Sequence, residues 1–145
     1  MKRLWMIYGA SALMMPGTAR ADWQYTRWGM TPDQVVNASS GTATREAVSG
    51  DLKAPYQSGD YKFEVTFRFR EGGLWSVDLA GVSGPQCYAL TGDLKAKYGQ
   101  PSEYHPMNET YWWLDRASGN QIMITTLASM KCIVHYEPLK TENNK

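Results

Sequence analysis

Two cysteines could form a disulfide bond. Cys87 lies on the apolar stripe of a predicted helix, and Cys132 shares the parity of the apolar side of the last predicted strand. Both side chains are therefore expected in the same layer between helix and sheet, as a disulfide requires. The alternative is a pair of buried free thiols. A catalytic redox role is not predicted, because the sequence contains no Cys-x-x-Cys motif that would lower a thiol pKa.

The histidines and carboxylates give weaker indications of a metal site or of catalysis. His105 lies in a predicted loop and His135 on a predicted strand, and zinc would need two further ligands that no local spacing supplies. Glu64 and Asp78 lie on neighbouring predicted strands and could act as the acid and base of a hydrolase. Charged pairs across strands are, however, common on sheet surfaces. We predict no cofactor and no catalytic residues, with an exported hydrolase as an alternative.

Arginine and tryptophan side chains form the best candidate for a binding surface. Trp112 and Trp113 are consecutive in a predicted strand, so their side chains point to opposite faces of the sheet. One enters the core, and the other is expected on the uncovered face near His135, with Arg68 and Arg70 on a further strand. Tryptophan and arginine are enriched at the hot spots of protein interfaces. These residues are the predicted partner-binding set; the alternative is that the second tryptophan only covers a sheet edge.

The strands that must position these residues show a period of two. Residues 61–70 alternate apolar and polar, which predicts a half-buried antiparallel strand. Glu71, Gly72 and Gly73 make a turn. Apolar residues then alternate on the return strand, and further strands follow on either side. The alternating residues are Trp75, Val77 and Leu79, and the further strands are expected near 43–48, 52–56, 110–115, 121–127 and 131–136.

Two helices are predicted. The first begins at Thr31, with Pro32 at its first position and Gln34 completing a capping box. The second runs from about Pro85 to Tyr98, with Ser83 as its expected cap. Its apolar stripe consists of Cys87, Leu90, Leu94 and Tyr98. The sequence therefore predicts an α+β fold, in which an antiparallel sheet meander carries a short N-terminal helix and one longer helix on one face.

Residues 1–21 read as a secretory signal peptide. Lys2 and Arg3 precede a 12-residue apolar run, and small residues at Ala19 and Ala21 fit a cleavage site before Asp22. The run is shorter than the roughly 20 residues that span a bilayer. The expected location is periplasmic or secreted, with no membrane span and no lipid anchor. A buried N-terminal helix is the alternative.

Charge argues against nucleic acid as a partner. The chain has 145 residues with 15 Lys and Arg against 14 Asp and Glu. Cleavage would remove three of the basic residues, so the mature chain would carry a small negative charge rather than a basic excess. Residues 22–137 are long enough for one domain, and residues 138–145 are expected to form a flexible polar tail.

Four stretches of the sequence carry a resemblance to known proteins: 28–35, 63–69, 87–101 and 132–138. Together they resemble a group of small exported bacterial proteins over most of residues 22–138. The opening Trp-Gly-Met-Thr-Pro at 28–32 and the ending Tyr-Gly-Gln-Pro at 98–101 are similar to those of the β-lactamase-inhibitor-protein-like fold and the SmpA/OmlA outer-membrane assembly domain. This resemblance implies a helical layer on an antiparallel sheet whose face or loops bind other proteins. The chain lacks the lipidation cysteine of the SmpA/OmlA pattern, and no catalytic residue carries over.

These observations favour a non-catalytic exported module that binds a protein partner in the cell envelope through the uncovered sheet face. A carrier of a small apolar or lipid-like ligand is the main alternative. Its ligand would lie between helix and sheet, against Phe67, Phe69, Trp75 and Tyr98. Those aromatic residues serve equally well as plain core.

Overall fold

An eight-stranded antiparallel sheet forms the frame of the chain in the computed structural model, which describes residues 22–127 and 130–140. The predicted signal peptide, residues 1–21, lies outside the described residues. The helices are α1 (Pro32–Ala38) and α2 (Pro85–Tyr98). The strands are β1 (Asp22–Trp23), β2 (Thr26–Arg27), β3 (Thr44–Arg45), β4 (Leu52–Ser58), β5 (Tyr61–Arg70), β6 (Gly73–Ser83), β7 (Glu103–His105), β8 (Thr110–Asp115), β9 (Asn120–Leu127) and β10 (Lys131–Pro138).

The sheet consists of two meanders that meet at its centre. Its strand order is β3-β4-β5-β6-β10-β9-β8-β7. The chain runs from one edge to β6, crosses through α2 to the far edge at β7, and returns strand by strand to β10. β10 then pairs with β6, with His135 opposite Asp78 and Val134 opposite Leu79. The chain is thus a sheet-rich fold with two helices, and the coarse α+β prediction is confirmed.

α2 covers one face of the sheet and is bonded to it. Its residues Cys87, Leu90 and Leu94 are buried, as the predicted stripe requires. A disulfide joins Cys87 to Cys132 on β10, with the two Cα atoms 5.8 Å apart. The predicted pairing of the cysteines is confirmed. Gly84, with a φ of +59°, occupies the N-cap of α2, so the prediction that Ser83 caps this helix was wrong: Ser83 ends β6.

The N-terminal segment packs on the same face as α2. The predicted capping box of Thr31 and Gln34 is present, and Val35 of α1 is fully buried. β1 and β2 form a small ribbon that the sequence analysis did not predict. Trp23 of this ribbon packs edge-on against Phe67, with ring centroids 5.7 Å apart. The ribbon and the two helices together enclose the hydrophobic core.

A β-bulge in β6 places Trp75 on the face opposite to the predicted one. Arg68 pairs with Ser76, but the next residue of β5, Phe69, pairs with Leu74, so Trp75 is an extra residue. A bulge of this kind shifts the alternation by one position. Leu74 enters the core, and Trp75 contacts His135 on the uncovered face. The prediction that Trp75 shares a face with Val77 and Leu79 was therefore wrong.

Two segments, the edge strand around His105 and the last described residues, are more regular than predicted. Glu103–His105 form the edge strand β7, where a loop was predicted around His105. Pro138 is the last residue of β10, and the Leu139 amide donates a hydrogen bond to the Gly119 carbonyl at 2.9 Å. The predicted flexible tail therefore does not begin at Pro138. Residues 141–145 lie outside the described residues.

Removing the disulfide should destabilise the fold without changing its topology. The bond closes a loop with a sequence separation of 45 residues, for which chain entropy gives about 2–4 kcal/mol of stabilisation. We expect the Cys87→Ser/Cys132→Ser variant to have a free energy of unfolding, measured by urea denaturation, that is lower by this amount. Adding a reductant should lower the stability of the wild-type chain and leave the double variant unchanged. Equal stability of the oxidised chain and the double variant would contradict this expectation.

Candidate functional site

The uncovered face is the side of the sheet opposite to α2. Five outward side chains lie directly across from one another on its central strands: Thr66, Asp78, His135, Met123 and Trp112. This row brings the predicted site residues His135 and Trp112 to one face, although they are far apart in sequence. Arg68 lies two residues from Thr66 on β5 and therefore points to the same face.

His135 is the centre of a polar network on the uncovered face. Its Nδ1 atom is hydrogen-bonded to the Asp78 carboxylate, and its Nε2 atom lies 3.3 Å from the carboxylate of Glu137. The guanidinium of Arg68 donates to Asp78 at 2.9 Å and lies 3.5 Å from Asp51. The His135 side chain is only 18 % exposed. The network therefore fixes three neighbouring strands and the segment before β4 by charge-assisted hydrogen bonds.

The neighbouring carboxylates keep His135 protonated. Burial alone would lower its pKa, but the hydrogen bonds to Asp78 and Glu137 outweigh burial and raise the pKa to about 9. Burial would raise the pKa of Asp78, yet the hydrogen bonds from His135 and Arg68 lower it. The hydrogen bond to His135 also lowers the pKa of Glu137. At neutral pH the network is thus an imidazolium between two carboxylates.

Arg70 and Trp75 form a second unit beside this network. The Arg70 guanidinium lies over the Trp75 ring at 4.0 Å from the centroid, a cation–π arrangement. The Trp75 ring meets His135 edge-on, with centroids 6.4 Å apart. Across residues 22–127 and 130–140, Arg70 makes no ion pair with a carboxylate. The Trp75 ring therefore fixes the position of Arg70, whose side chain is exposed. After the hydrogen bond to His135, the charge of Arg70 also contributes to the lowered pKa of Glu137.

Four apolar side chains lie on the other half of the uncovered face, where Gln121 and Thr125 flank Met123 on β9. We call this group on β8, β9 and β10 the apolar patch: Trp112, Leu114, Met123 and Ile133. Leu114 is 41 % exposed and Ile133 37 % exposed. The buried Nε1 atom of Trp112 has no hydrogen-bond partner in the described part of the chain. The uncovered face thus combines an apolar half with a charged half, the junction lying at His135.

Trp113, a member of the predicted binding set, does not lie on the uncovered face. Its side chain is 1 % exposed and lies on the covered face, opposite Ile122. Its indole N–H donates to the Gly99 carbonyl at 2.9 Å and so ties β8 to the end of α2. Trp112 is the tryptophan that remains on the uncovered face. Trp75 also lies on the uncovered face, which a strict period of two did not predict. The sequence signal is that the buried residues Leu74 and Val77 are three positions apart, which breaks this period.

The residues considered for catalysis and metal binding interact with other side chains of the chain. Glu64 forms an ion pair with Lys53 at 3.2 Å, and the lowered pKa of Asp78 makes this carboxylate a poor general acid. His105 lies on β7 and interacts with Glu103 at 3.2 Å. Among the residues that the structure describes, no group of three or more His, Cys, Asp or Glu side chains is placed to hold a metal ion.

The residues named for an apolar carrier do not enclose a common cavity. Phe67 is fully buried in the core, and Trp75 lies on the uncovered face. A cavity of about 170 Å³ does lie between α2 and the sheet, but none of Phe67, Phe69, Trp75 and Tyr98 lines it. Its volume is below the roughly 300 Å³ at which pockets for larger organic ligands begin.

Comparison with known proteins identifies no relative of this chain: no protein-family model, no curated protein and no solved structure matches it. Within the described residues, neither helix has the length and apolar character needed to cross a membrane. The interpretation of the uncovered face therefore depends on its own geometry.

The stability of the fold should fall as His135 loses its proton. A raised pKa means that its stabilisation is complete below pH 6.5, the ordinary pKa, and is lost as pH rises through about 9. The shift corresponds to at most about 3 kcal/mol. We expect urea unfolding to show a decrease in stability from pH 6.5 to 9 that is much smaller in His135→Asn.

His105→Asn is the matched control, because His105 lies exposed on the edge strand. This variant should retain the wild-type slope of stability against pH. The same slope in His135→Asn and the wild-type chain would show that the network does not stabilise the fold in this way.

Proposed function

We propose that this chain is a non-catalytic binding module of the cell envelope that captures a protein partner with the uncovered face of its sheet. The observation that carries the proposal is that the apolar patch and the exposed Arg70 lie on the same face of one sheet, with the network around His135 between them. Tryptophan and arginine are enriched at the hot spots of protein interfaces, and methionine is enriched at interfaces as a whole. Both are held on strands of a hydrogen-bonded sheet, so little order is lost when a partner binds.

The two halves of the face define the chemistry of the partner. Trp112, Leu114, Met123 and Ile133 would be covered by aliphatic or aromatic side chains. Arg70 would meet a carboxylate, because its exposed guanidinium is covered by a ring on one side and makes no ion pair among the described residues. The polar network around His135 keeps its own hydrogen bonds and serves as a rigid boundary between the two contacts. We therefore expect a partner segment that pairs an apolar side chain with an acidic one.

The proposed location in the envelope has two supports. A disulfide is typical of proteins in oxidising compartments, and Cys87 and Cys132 are bonded. Residues 1–21 have the pattern of a secretory signal. The resemblance to the β-lactamase-inhibitor-protein-like and SmpA/OmlA domains remains a proposal in the same direction, since it implies proteins that use a sheet face or its loops for binding.

Site-specific photo-crosslinking tests the face directly. A photoreactive phenylalanine analogue placed at Leu114 or Ile133 should capture a partner from periplasmic extract, because both side chains are exposed on the uncovered face. The same analogue at Val48 or Tyr88, exposed positions outside the apolar patch, should not capture that partner. Equal capture from all four positions would contradict the proposal.

Alanine substitutions then test which side chains contact the partner, with a separate check that each variant is folded. With the photoreactive analogue in place of Leu114, Trp112→Ala and Arg70→Ala should each reduce capture of the partner at least tenfold, or by roughly 1.4 kcal/mol, as expected for hot-spot residues. Lys62→Ala is the matched control, because Lys62 is an exposed cation on the same strand as Arg70 but away from Trp75. Folding of each variant is checked by far-ultraviolet circular dichroism. Wild-type capture by folded Trp112→Ala and Arg70→Ala would remove this face as the binding surface.

A further inference from the structure

The covered face contains a cavity that the proposed partner surface does not use. It lies between α2, the ribbon of β1 and β2, and the sheet, and has a volume of about 170 Å³. Its apolar lining includes Leu79 and Val134 from the sheet and Leu90 and Leu94 from α2. All four of these side chains are buried. A cavity of about 150 Å³ is large enough for a molecule of the size of benzene.

Aromatic rings form one wall of this cavity. Trp23 meets Tyr56 edge-on with centroids 5.1 Å apart, and Tyr56 stacks on Phe63 at 6.0 Å. Tyr61 lies against the other side of this group, 6.1 Å from Phe63. Tyr136 also lines the cavity. The faces of aromatic rings carry partial negative charge and attract cations within about 6 Å.

A carboxylate also lines this cavity. Asp93 of α2 lines it and accepts a hydrogen bond from the Tyr61 hydroxyl at 2.7 Å. Burial and the Asp93 carboxylate raise the pKa of Tyr61 to about 12, so the hydroxyl keeps its proton and remains the donor. Lys97, one turn further along α2, also lines the cavity. Its ammonium lies 5.2 Å from the centroid of the Tyr98 ring, which does not line the cavity. Across the described ranges, Asp93 has no ion pair.

We propose that this cavity binds a small organic ammonium ion. The methyl or methylene groups of such a ligand would pack against Leu90, Leu94 and the aromatic wall, and its charge would face Asp93. Aromatic rings and a carboxylate together match a cation that has apolar substituents. A lipid chain would exceed the volume. Because the Lys97 ammonium lies over the Tyr98 ring, outside the lining, Asp93 is the charge that the ligand would meet.

Choline and its neutral isostere, 3,3-dimethylbutan-1-ol, provide the test, because they share a shape and differ in charge. The measurement is an amide NMR titration of the chain over residues 22–145. We expect choline to shift the amide signals of Gln24, Tyr61 and Asp93 in a saturable way. The neutral isostere should bind at least tenfold more weakly.

Asp93→Asn should weaken choline binding at least tenfold and leave binding of the neutral isostere unchanged. Asp93 is exposed, and the amide spectrum itself shows whether the variant is folded. Asp33→Asn, which removes an exposed carboxylate on α1, should bind choline like the wild-type chain. Equal binding of both compounds, equal loss in both variants, or the absence of saturable shifts with choline would each overturn the proposal.

Discussion

The pairing of β10 with β6 is the constraint on which the rest of the structure depends. These strands belong to different meanders, and they meet only because the chain crosses through α2 to the far edge of the sheet and returns. β10 is held by a further link on each face, to α2 on the covered face and to β6 on the uncovered face. On the covered face Cys132 is joined to Cys87, and on the uncovered face His135 is hydrogen-bonded to Asp78. Loss of this pairing would divide the sheet into two halves, neither of which could form the uncovered face.

This arrangement assigns different physical roles to the two faces of one sheet. The covered face holds the core, in which Trp113 ties β8 to the end of α2. The uncovered face holds a charged network whose members are only partly exposed. Burying charges costs desolvation free energy, which offsets part of the stabilisation by this network, while its hydrogen bonds fix the orientation of its side chains. A binding surface requires side chains of fixed orientation, and Trp112 and Arg70 are both held on strands of this sheet, on the same face.

Periodicity allowed much of the fold to be predicted, because each regular element repeats its own spacing. Residues 61–70 and 110–115 were predicted as strands with their observed bounds, and Pro85–Tyr98 as a helix. The side of Trp75 could not be predicted by counting, because a bulge depends on the register with a neighbouring strand. For Trp112 and Trp113, alternation gives opposite faces but not which face is covered; the position of α2 decides that. The ribbon at Asp22–Arg27 is too short to show a period.

Side-chain oxidation by hydroxyl radicals, read by mass spectrometry, tests the binding role of the uncovered face most directly. It compares the free chain with the chain bound to the partner that it captures. We expect Trp112, Met123 and Trp75 to lose reactivity in the complex, while Met107, which is fully exposed away from the apolar patch, keeps it. Protection of Met107 or Tyr88 with unchanged oxidation of Trp112 and Met123 would show that the partner binds elsewhere.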